Sequence, residues 1–147
     1  MEAKALEKLL ERDLVKLKEE LSSFNIEANL WKTAAGISNS SGNLAMHLVG
    51  NLNHFIGATL GATGYVRNRE FEFTGKNVAR EQMLKSIDET IVMLKQVLPN
   101  IDSTELAKDF PLTFLGQHPT GHYLLHFYGH FTYHLGQINY LRRVLEG

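Results

Sequence analysis

The longest uncharged stretch of the sequence most constrains its fold. Between Lys32 and Arg67 there is no Asp, Glu, Lys or Arg. A run of this length could cross a membrane, but His47, Asn51 and His54 lie within it and are costly at bilayer depth. We therefore predict a helix that is buried on most of its sides inside a soluble protein.

The composition excludes several classes of protein. The 147 residues fit one domain, 1–147, that can bury a core without disulfides or structural metals. The 15 basic and 16 acidic residues give a formal charge of -1, which argues against a nucleic-acid partner. Without cysteine the chain has no disulfide, no cysteine-ligated metal and no thiol nucleophile. The N-terminal segment lacks the apolar core of a secretory signal, so we expect a cytoplasmic location.

Apolar periodicity and capping residues predict four long helices. Leucines every three or four positions predict the first helix over about 3–23. Ser40 or Ser41 can cap the uncharged second helix, which we expect to run to about Leu60. A third helix ends at Pro99, and Thr120 can cap a last helix over about 120–143. No strand pattern alternates with them, so the predicted fold class is all-α, a four-helix bundle.

The linker lengths predict the topology of this bundle. The connection from Gly61 to Asn77 reaches roughly 55 Å when extended, whereas a helix of 20 residues is about 30 Å long. The third helix can therefore begin at the same end as the second. We expect long crossover connections rather than simple up-and-down hairpins.

Five histidines, His118, His122, His126, His130 and His134, follow one another at intervals of four, and the last four lie within the predicted last helix. Members that are eight apart are separated by about 12 Å, so only an adjacent pair can share a metal ion. On a helical wheel His134 lies about 30° and His130 about 70° from the centre of the apolar stripe. His126 and His122 lie roughly 110° and 150° away, toward solvent or a partner. The wheel therefore selects His130 and His134 as the candidate metal ligands.

The second helix offers a third imidazole, from His47 or His54, and one ion needs only one of them. Three neutral imidazoles with an open fourth position suit a divalent ion that activates a bound water or substrate. The alternative for an inward histidine is a core imidazole that is hydrogen-bonded to a carbonyl or a neighbouring side chain. The sequence pattern leaves both alternatives open.

Two segments resemble the DinB superfamily. Asn39–Leu48, NSSGNLAMHL, looks like the second helix of that superfamily, and His130–Ile138, HFTYHLGQI, looks like its last helix. The resemblance covers nearly the whole chain and implies a DinB-like four-helix bundle with a long crossover, commonly dimeric. It also implies a divalent metal ion, most often nickel or zinc, held by three histidines. Carried over residue by residue, these ligands are His47, His130 and His134.

Characterised members of the superfamily imply a transfer or isomerisation that uses a low-molecular-weight thiol. Because this chain has no cysteine, the thiol would be a cosubstrate beside a small-molecule substrate. Our leading interpretation is a metal-dependent enzyme, a thiol-dependent S-transferase. The alternatives are a metal-dependent hydrolase and a non-catalytic stress protein that binds a metal or small molecule. No residue is assigned a catalytic role beyond metal binding.

Glycines and charges around the second helix raise two further expectations. Gly50, Gly57 and Gly61 lie on one side of that helix, where they could admit the first helix or a second subunit. Arg67, Arg69, Glu70 and Glu72 in the crossover could attract an anionic substrate or belong to a solvated loop. The uncharged surface of the second helix predicts a symmetric homodimer, unless the long connections cover it within one chain.

Overall fold

The computed structural model describes residues 1–147 and is all-helical. A π-helix, Asn53–Leu60, continues α2 directly, and 3-10 turns lie at Glu27–Trp31 and Leu98–Asn100. No helix has the length and apolar character needed to cross a membrane. The six α-helices are α1 Ala3–Ser22, α2 Ser41–Leu52, α3 Arg69–Thr74, α4 Arg80–Val97, α5 Ser103–Ala107 and α6 Thr120–Glu146.

The four longer helices surround a common core. Helix α1 contacts α4 and α6, and α2 contacts the same two helices from the other side. Their buried apolar side chains form one continuous cluster, to which α1 contributes the leucines of its predicted stripe. The helices of this core are the four that periodicity predicted, with ends that differ by a few residues.

Helix α2 is buried on most of its sides, as its lack of charge predicted. Ser40 caps it by accepting a hydrogen bond from the backbone N–H of Asn43 at 3.2 Å. Only Met46 and Val49 of α2 are not fully buried. The other elements of this chain cover the helix, so its uncharged surface no longer requires a second subunit. The homodimer stays a prediction.

The predicted second helix does run to Leu60, but its second half, Asn53–Leu60, is a π-helix rather than an α-helix. The side-chain amide of Asn53 donates to the carbonyl of Val49 at 2.9 Å, and the Thr59 hydroxyl donates to the carbonyl of His54 at 3.0 Å. These side chains occupy helix carbonyls, which loosens the regular backbone ladder. The wider turn changes the direction of every side chain after Leu52.

Helix α4 runs parallel to α2 and its π-helical continuation. Contacts advance together along both segments, in the pairs Asn53 with Thr90, Gly57 with Met93, and Gly61 with Val97. The connection between the helices therefore passes from one end to the other, and it contains α3, which we did not predict. Gly57 and Gly61 admit side chains of α4, so the expectation that they face the first helix or a second subunit is wrong.

Helix α6 buries the apolar stripe that the wheel identified, although Leu145 near its end is only partly buried. Thr120 is the first residue of the helix rather than its cap. Its hydroxyl instead donates to the carbonyl of Lys108 at 3.1 Å, which fixes the start of α6 to the preceding loop. The predicted capping role was therefore wrong, while the face of the helix was right.

Asn43 holds the crossover segment against α2. Its side-chain amide donates to the carbonyls of Glu72 at 3.0 Å and Gly75 at 2.8 Å, and its own oxygen accepts from Lys76 at 2.7 Å. Asn43 is fully buried, so these carbonyls have no water to replace it. The helix that carries His47 and the segment that carries Glu72 are thus fixed to each other.

We predict that Asn43→Ala lowers the free energy of unfolding by about 2–4 kcal/mol, because it leaves two buried carbonyls without donors. Urea unfolding of both proteins measures this change. Asn100→Ala is the control: Asn100 also donates to a helix carbonyl, at 2.7 Å, but is exposed. We expect it to change stability by less than about 0.5 kcal/mol. Equal effects of the two substitutions would contradict the anchoring role.

Candidate metal centre

Helix α6 separates its histidines into inward and outward groups, as the wheel predicted. His122 and His126 are exposed, whereas His130 and His134 are partly buried against the core. The packing of Phe127 and Phe131, both almost fully buried, sets this rotation. The pair that the wheel selected is therefore the pair that faces α2.

His47 joins this pair from α2. One ring nitrogen from each of His47, His130 and His134 lies within 4.8 Å of the others. His47 is 6% exposed, and its Nε2 lies 3.0 Å from Nε2 of His130. The centroid of the His134 ring is 5.4 Å from that of His47. Three imidazoles this close could hold a metal ion, and the group contains no fourth histidine or carboxylate.

His54 does not belong to the group, so of the two histidines of the uncharged helix only His47 lies beside the pair on α6. Seven residues separate it from His47, about 10 Å along a helix axis, and the π-helix turns it further from the α2 face. His126 is also outside the group, and its ring centroid is 6.3 Å from that of His130.

Glu72 contacts the face of His47 that is turned away from the group. Its Oε1 lies 3.0 Å from Nδ1 of His47, and both side chains are only 7% exposed. Arg67 donates to both carboxylate oxygens, from Nε to Oε2 and from Nη2 to Oε1, each at 2.9 Å. Arg67 is also nearly buried, at 10% exposure, with its guanidinium 5.7 Å from the ring centroid of Phe55.

The charge state of Glu72 determines which nitrogen of His47 carries the proton. Burial alone would raise the pKa of Glu72, but the hydrogen bonds from His47 and Arg67 and the charge of Arg67 lower it below its usual value. Two groups approach Nδ1 of His47: Oε1 of Glu72 at 3.0 Å and Nη2 of Arg67, itself only a donor, at 3.3 Å. The carboxylate contact is the shorter one, and Nη2 already donates to Oε1 at 2.9 Å, so we assign the proton to Nδ1, which donates to Glu72. In the neutral ring, Nε2 then has a free lone pair directed at His130.

His134 has the same arrangement with a different partner. Its Nδ1 lies 2.7 Å from Oε1 of Gln137, one helical turn further along α6. The amide oxygen accepts the Nδ1 proton, which leaves Nε2 of His134 as the unprotonated nitrogen. Partners that fix the ring orientation of metal-binding histidines in this way are a general feature of metal sites.

The environment favours the neutral forms of His130 and His134. Burial lowers the pKa of His130 to about 4, and the positive charge that His134, His47, His126 and Arg67 could place nearby acts in the same direction. Burial also lowers the pKa of His134. Metal ligands must be unprotonated, so these rings need not lose a proton before they bind an ion at neutral pH.

The donor set fits a divalent cation. When Nδ1 of His47 is protonated, its Nε2 faces Nε2 of His130, and this contact needs either a proton or a cation between the two nitrogens. The buried Nδ1 of His130 has no hydrogen-bond partner whether Nε2 carries a proton or holds an ion, so that atom favours neither. Three imidazole nitrogens are a donor set that zinc and nickel accept.

The roles of Arg67 and Glu72 were missed by the sequence interpretation, which treated them as loop charges. Their neighbours Arg69 and Glu70 are indeed exposed, so only part of the charged segment is solvated. A signal was present in Gly50, since a glycine inside a helix indicates that another group approaches closely. That group is the carboxylate of Glu72 rather than the first helix or a second subunit.

Two apolar features adjoin the centre. The ring centroid of Phe73 lies 4.7 Å from that of His47 and forms an apolar wall beside it. Glu72 also lines a cavity of about 410 Å³ between α2, the crossover segment and α4. The cavity is lined mainly by apolar side chains, among them Met46, Val49 and Phe71.

Comparison with known proteins gives a family. The family model described as protein of unknown function (DUF1572) matches residues 4–147, almost the entire chain. No curated protein matches the chain.

Proposed function

We propose that this chain, which belongs to the DUF1572 family, binds one divalent metal ion with His47, His130 and His134 and uses it in catalysis. The observation that supports the proposal is a group of three histidines without a fourth protein ligand. A structural ion is normally enclosed by four protein ligands, whereas three leave a position for a substrate. Nickel and zinc are the proposed ions because both accept imidazole nitrogen.

The proposal extends the resemblance to the DinB superfamily. The closed arrangement of α1, α2, α4 and α6 and the parallel course of α2 and α4 support a DinB-like four-helix bundle with crossover connections. We also propose that residues 1–147 act as a single domain in the cytoplasm. These statements rest on the quoted motifs and on the packing described above.

The reaction that we propose is the attack of a small thiol on an electrophilic organic substrate: the thiol loses its proton, a carbon–sulfur bond forms, and the carbon–halogen bond or an epoxide carbon–oxygen bond breaks, so that halide leaves or the epoxide oxygen takes up a proton. When bound, the ion supplies a positive charge that lowers the pKa of a coordinated thiol or water. The chain has no cysteine, so the sulfur atom comes from a thiol cosubstrate. Glu72 and Gln137 lie within hydrogen-bond distance of two of the ligands, and Phe73 gives the site an apolar wall.

The metal ligands can be tested by elemental analysis of protein purified without an affinity tag. We predict that His134→Ala removes most of the bound metal while far-UV circular dichroism stays helical, because the ring is partly exposed and no core side chain is lost. His126→Ala is the matched control, one turn further from the group, and should retain the metal. Metal loss in the control with retention in His134→Ala would contradict the assignment.

Thiol dependence separates the proposed transferase from a hydrolase, since both need the ion. Metal-loaded protein is screened with epoxides and halogenated aromatics, with and without small thiols, beside esters, amides and lactones. We predict turnover of an electrophile only with a thiol, abolished in His130→Ala. Thiol-independent turnover of an ester or lactone that His130→Ala abolishes would favour the hydrolase. Silence in both panels would favour the binding protein.

A homodimer, which the superfamily resemblance implies, is also proposed. Support now comes from α6, where Tyr133, Tyr140 and Val144 are 65%, 70% and 68% exposed. Their spacings of seven and four place them on one side of the helix. The ring of Tyr133 lies 5.3 Å from that of His134, so this surface adjoins the proposed centre.

We predict a dimer in light scattering at micromolar concentration, with about twice the mass of the 16.6 kDa chain. Tyr140→Glu should shift the population toward monomer, because it places a charge in an apolar interface. A control substitution at an exposed residue of α4 rather than α6, Lys85→Glu, should leave the mass unchanged. A wild-type protein that is only a 16.6 kDa species would contradict the proposal.

A further inference from the structure

We propose that Glu72 is a positioning residue of the metal centre. Arg67 holds the Glu72 carboxylate in place, and the missing side chain of Gly50 lets this carboxylate approach α2. The inference rests on the proposed metal binding and adds to it residues that no DinB-like motif quoted above contains. It assigns the crossover segment a direct part in the site: this segment determines which nitrogen of His47 is available to an ion.

The first support is the set of hydrogen bonds around the carboxylate. Both oxygens of Glu72 accept from Arg67, and Oε1 lies 3.0 Å from Nδ1 of His47. Arg67 fixes the carboxylate plane by two parallel bonds, which a single donor could not do. The carboxylate is thereby oriented to accept the Nδ1 proton, so that Nε2 of His47 faces the other two histidines.

The second support is the space that Gly50 leaves. Gly50 follows His47 by three residues on α2, so the two lie on neighbouring parts of one face. A Cβ atom at position 50 would lie 2.6 Å from Cδ of Glu72 and would overlap with Oε2. Any residue other than glycine at this position must therefore displace the carboxylate that contacts His47.

The third support is the backbone of the crossover. The buried amide of Asn43 donates to the carbonyl of Glu72 itself at 3.0 Å and to that of Gly75 at 2.8 Å. Both the main chain and the side chain of Glu72 are thus fixed to α2, without any contribution from an ion.

A purely structural role for Glu72, as the counterion of buried Arg67, is the alternative. The chain offers a matched control for it in Asp13, which is 2% exposed. Asp13 accepts from Arg12 and from the hydroxyl of Tyr128 at 3.0 Å, with no histidine among its partners. Loss of either carboxylate should lower stability, but only loss of Glu72 should change the metal centre.

The test measures zinc affinity and histidine tautomers in the wild type, Glu72→Gln and Asp13→Asn. We expect the zinc dissociation constant to rise about 10–100-fold in Glu72→Gln, as for other partners of metal ligands, and less than about twofold in Asp13→Asn. In metal-free protein, ¹⁵N chemical shifts should place the neutral His47 proton on Nδ1 in the wild type and in Asp13→Asn. In Glu72→Gln a smaller fraction of His47 should carry its proton on Nδ1.

A second pair of variants tests Gly50 by comparing the effect of Gly50→Ala on zinc affinity with and without the Glu72 carboxylate. Gly50→Ala should weaken zinc binding in the wild type, by displacing the carboxylate. In a Glu72→Ala background it should leave zinc affinity unchanged and raise the Tm, because alanine favours a helix more than glycine does. Equal loss of zinc affinity in both backgrounds would overturn the role of Gly50.

Two outcomes distinguish this inference from the proposed function. Wild-type zinc affinity in Glu72→Gln, with the His47 proton still on Nδ1, would overturn the positioning role and leave metal binding intact. If the wild type binds no ion, the proposed function fails, and the tautomer measurement on metal-free protein still decides whether Glu72 positions His47.

Discussion

The burial of uncharged polar side chains on α2 determines how the rest of the chain is arranged. A helix without charges can be covered on nearly every side, but each buried amide or imidazole then needs a hydrogen-bond partner. The partners of Asn43 and His47 lie in the crossover: Asn43 donates to the backbone carbonyl of Glu72, and His47 contacts the carboxylate of the same residue. The requirement to satisfy α2 therefore brings the crossover to the place where His47 meets α6.

The features that could be predicted from the sequence are those that depend on one helix alone. The faces of α1, α4 and α6 follow from apolar periodicity, and the inward pair His130 and His134 follows from the same wheel. The choice of His47 over His54 as a ligand came from the resemblance alone, and in the structure it is His47 that lies beside His130 and His134. The spacing of apolar residues predicts which face of a helix is buried, because that spacing lies within the helix itself.

The remaining features depend on contacts between distant segments. Helix α3 is short and has no long apolar period, so the crossover looked like a loop. The π-helix depends on side-chain bonds such as Asn53 to Val49, which periodicity does not show. The buried ion pair of Arg67 and Glu72 could not be predicted, because the same two residue types at this spacing could equally form an exposed pair. Only Gly50 pointed toward it.

The central claim is that three histidines hold one divalent ion, and anomalous diffraction tests it most directly. Crystals of untagged protein grown with zinc would be measured on both sides of the zinc absorption edge. The account predicts one strong peak, about 2.0–2.1 Å from one nitrogen of each of His47, His130 and His134. A peak at the stacked rings of His118 and His122, or no peak among the three histidines, would contradict it.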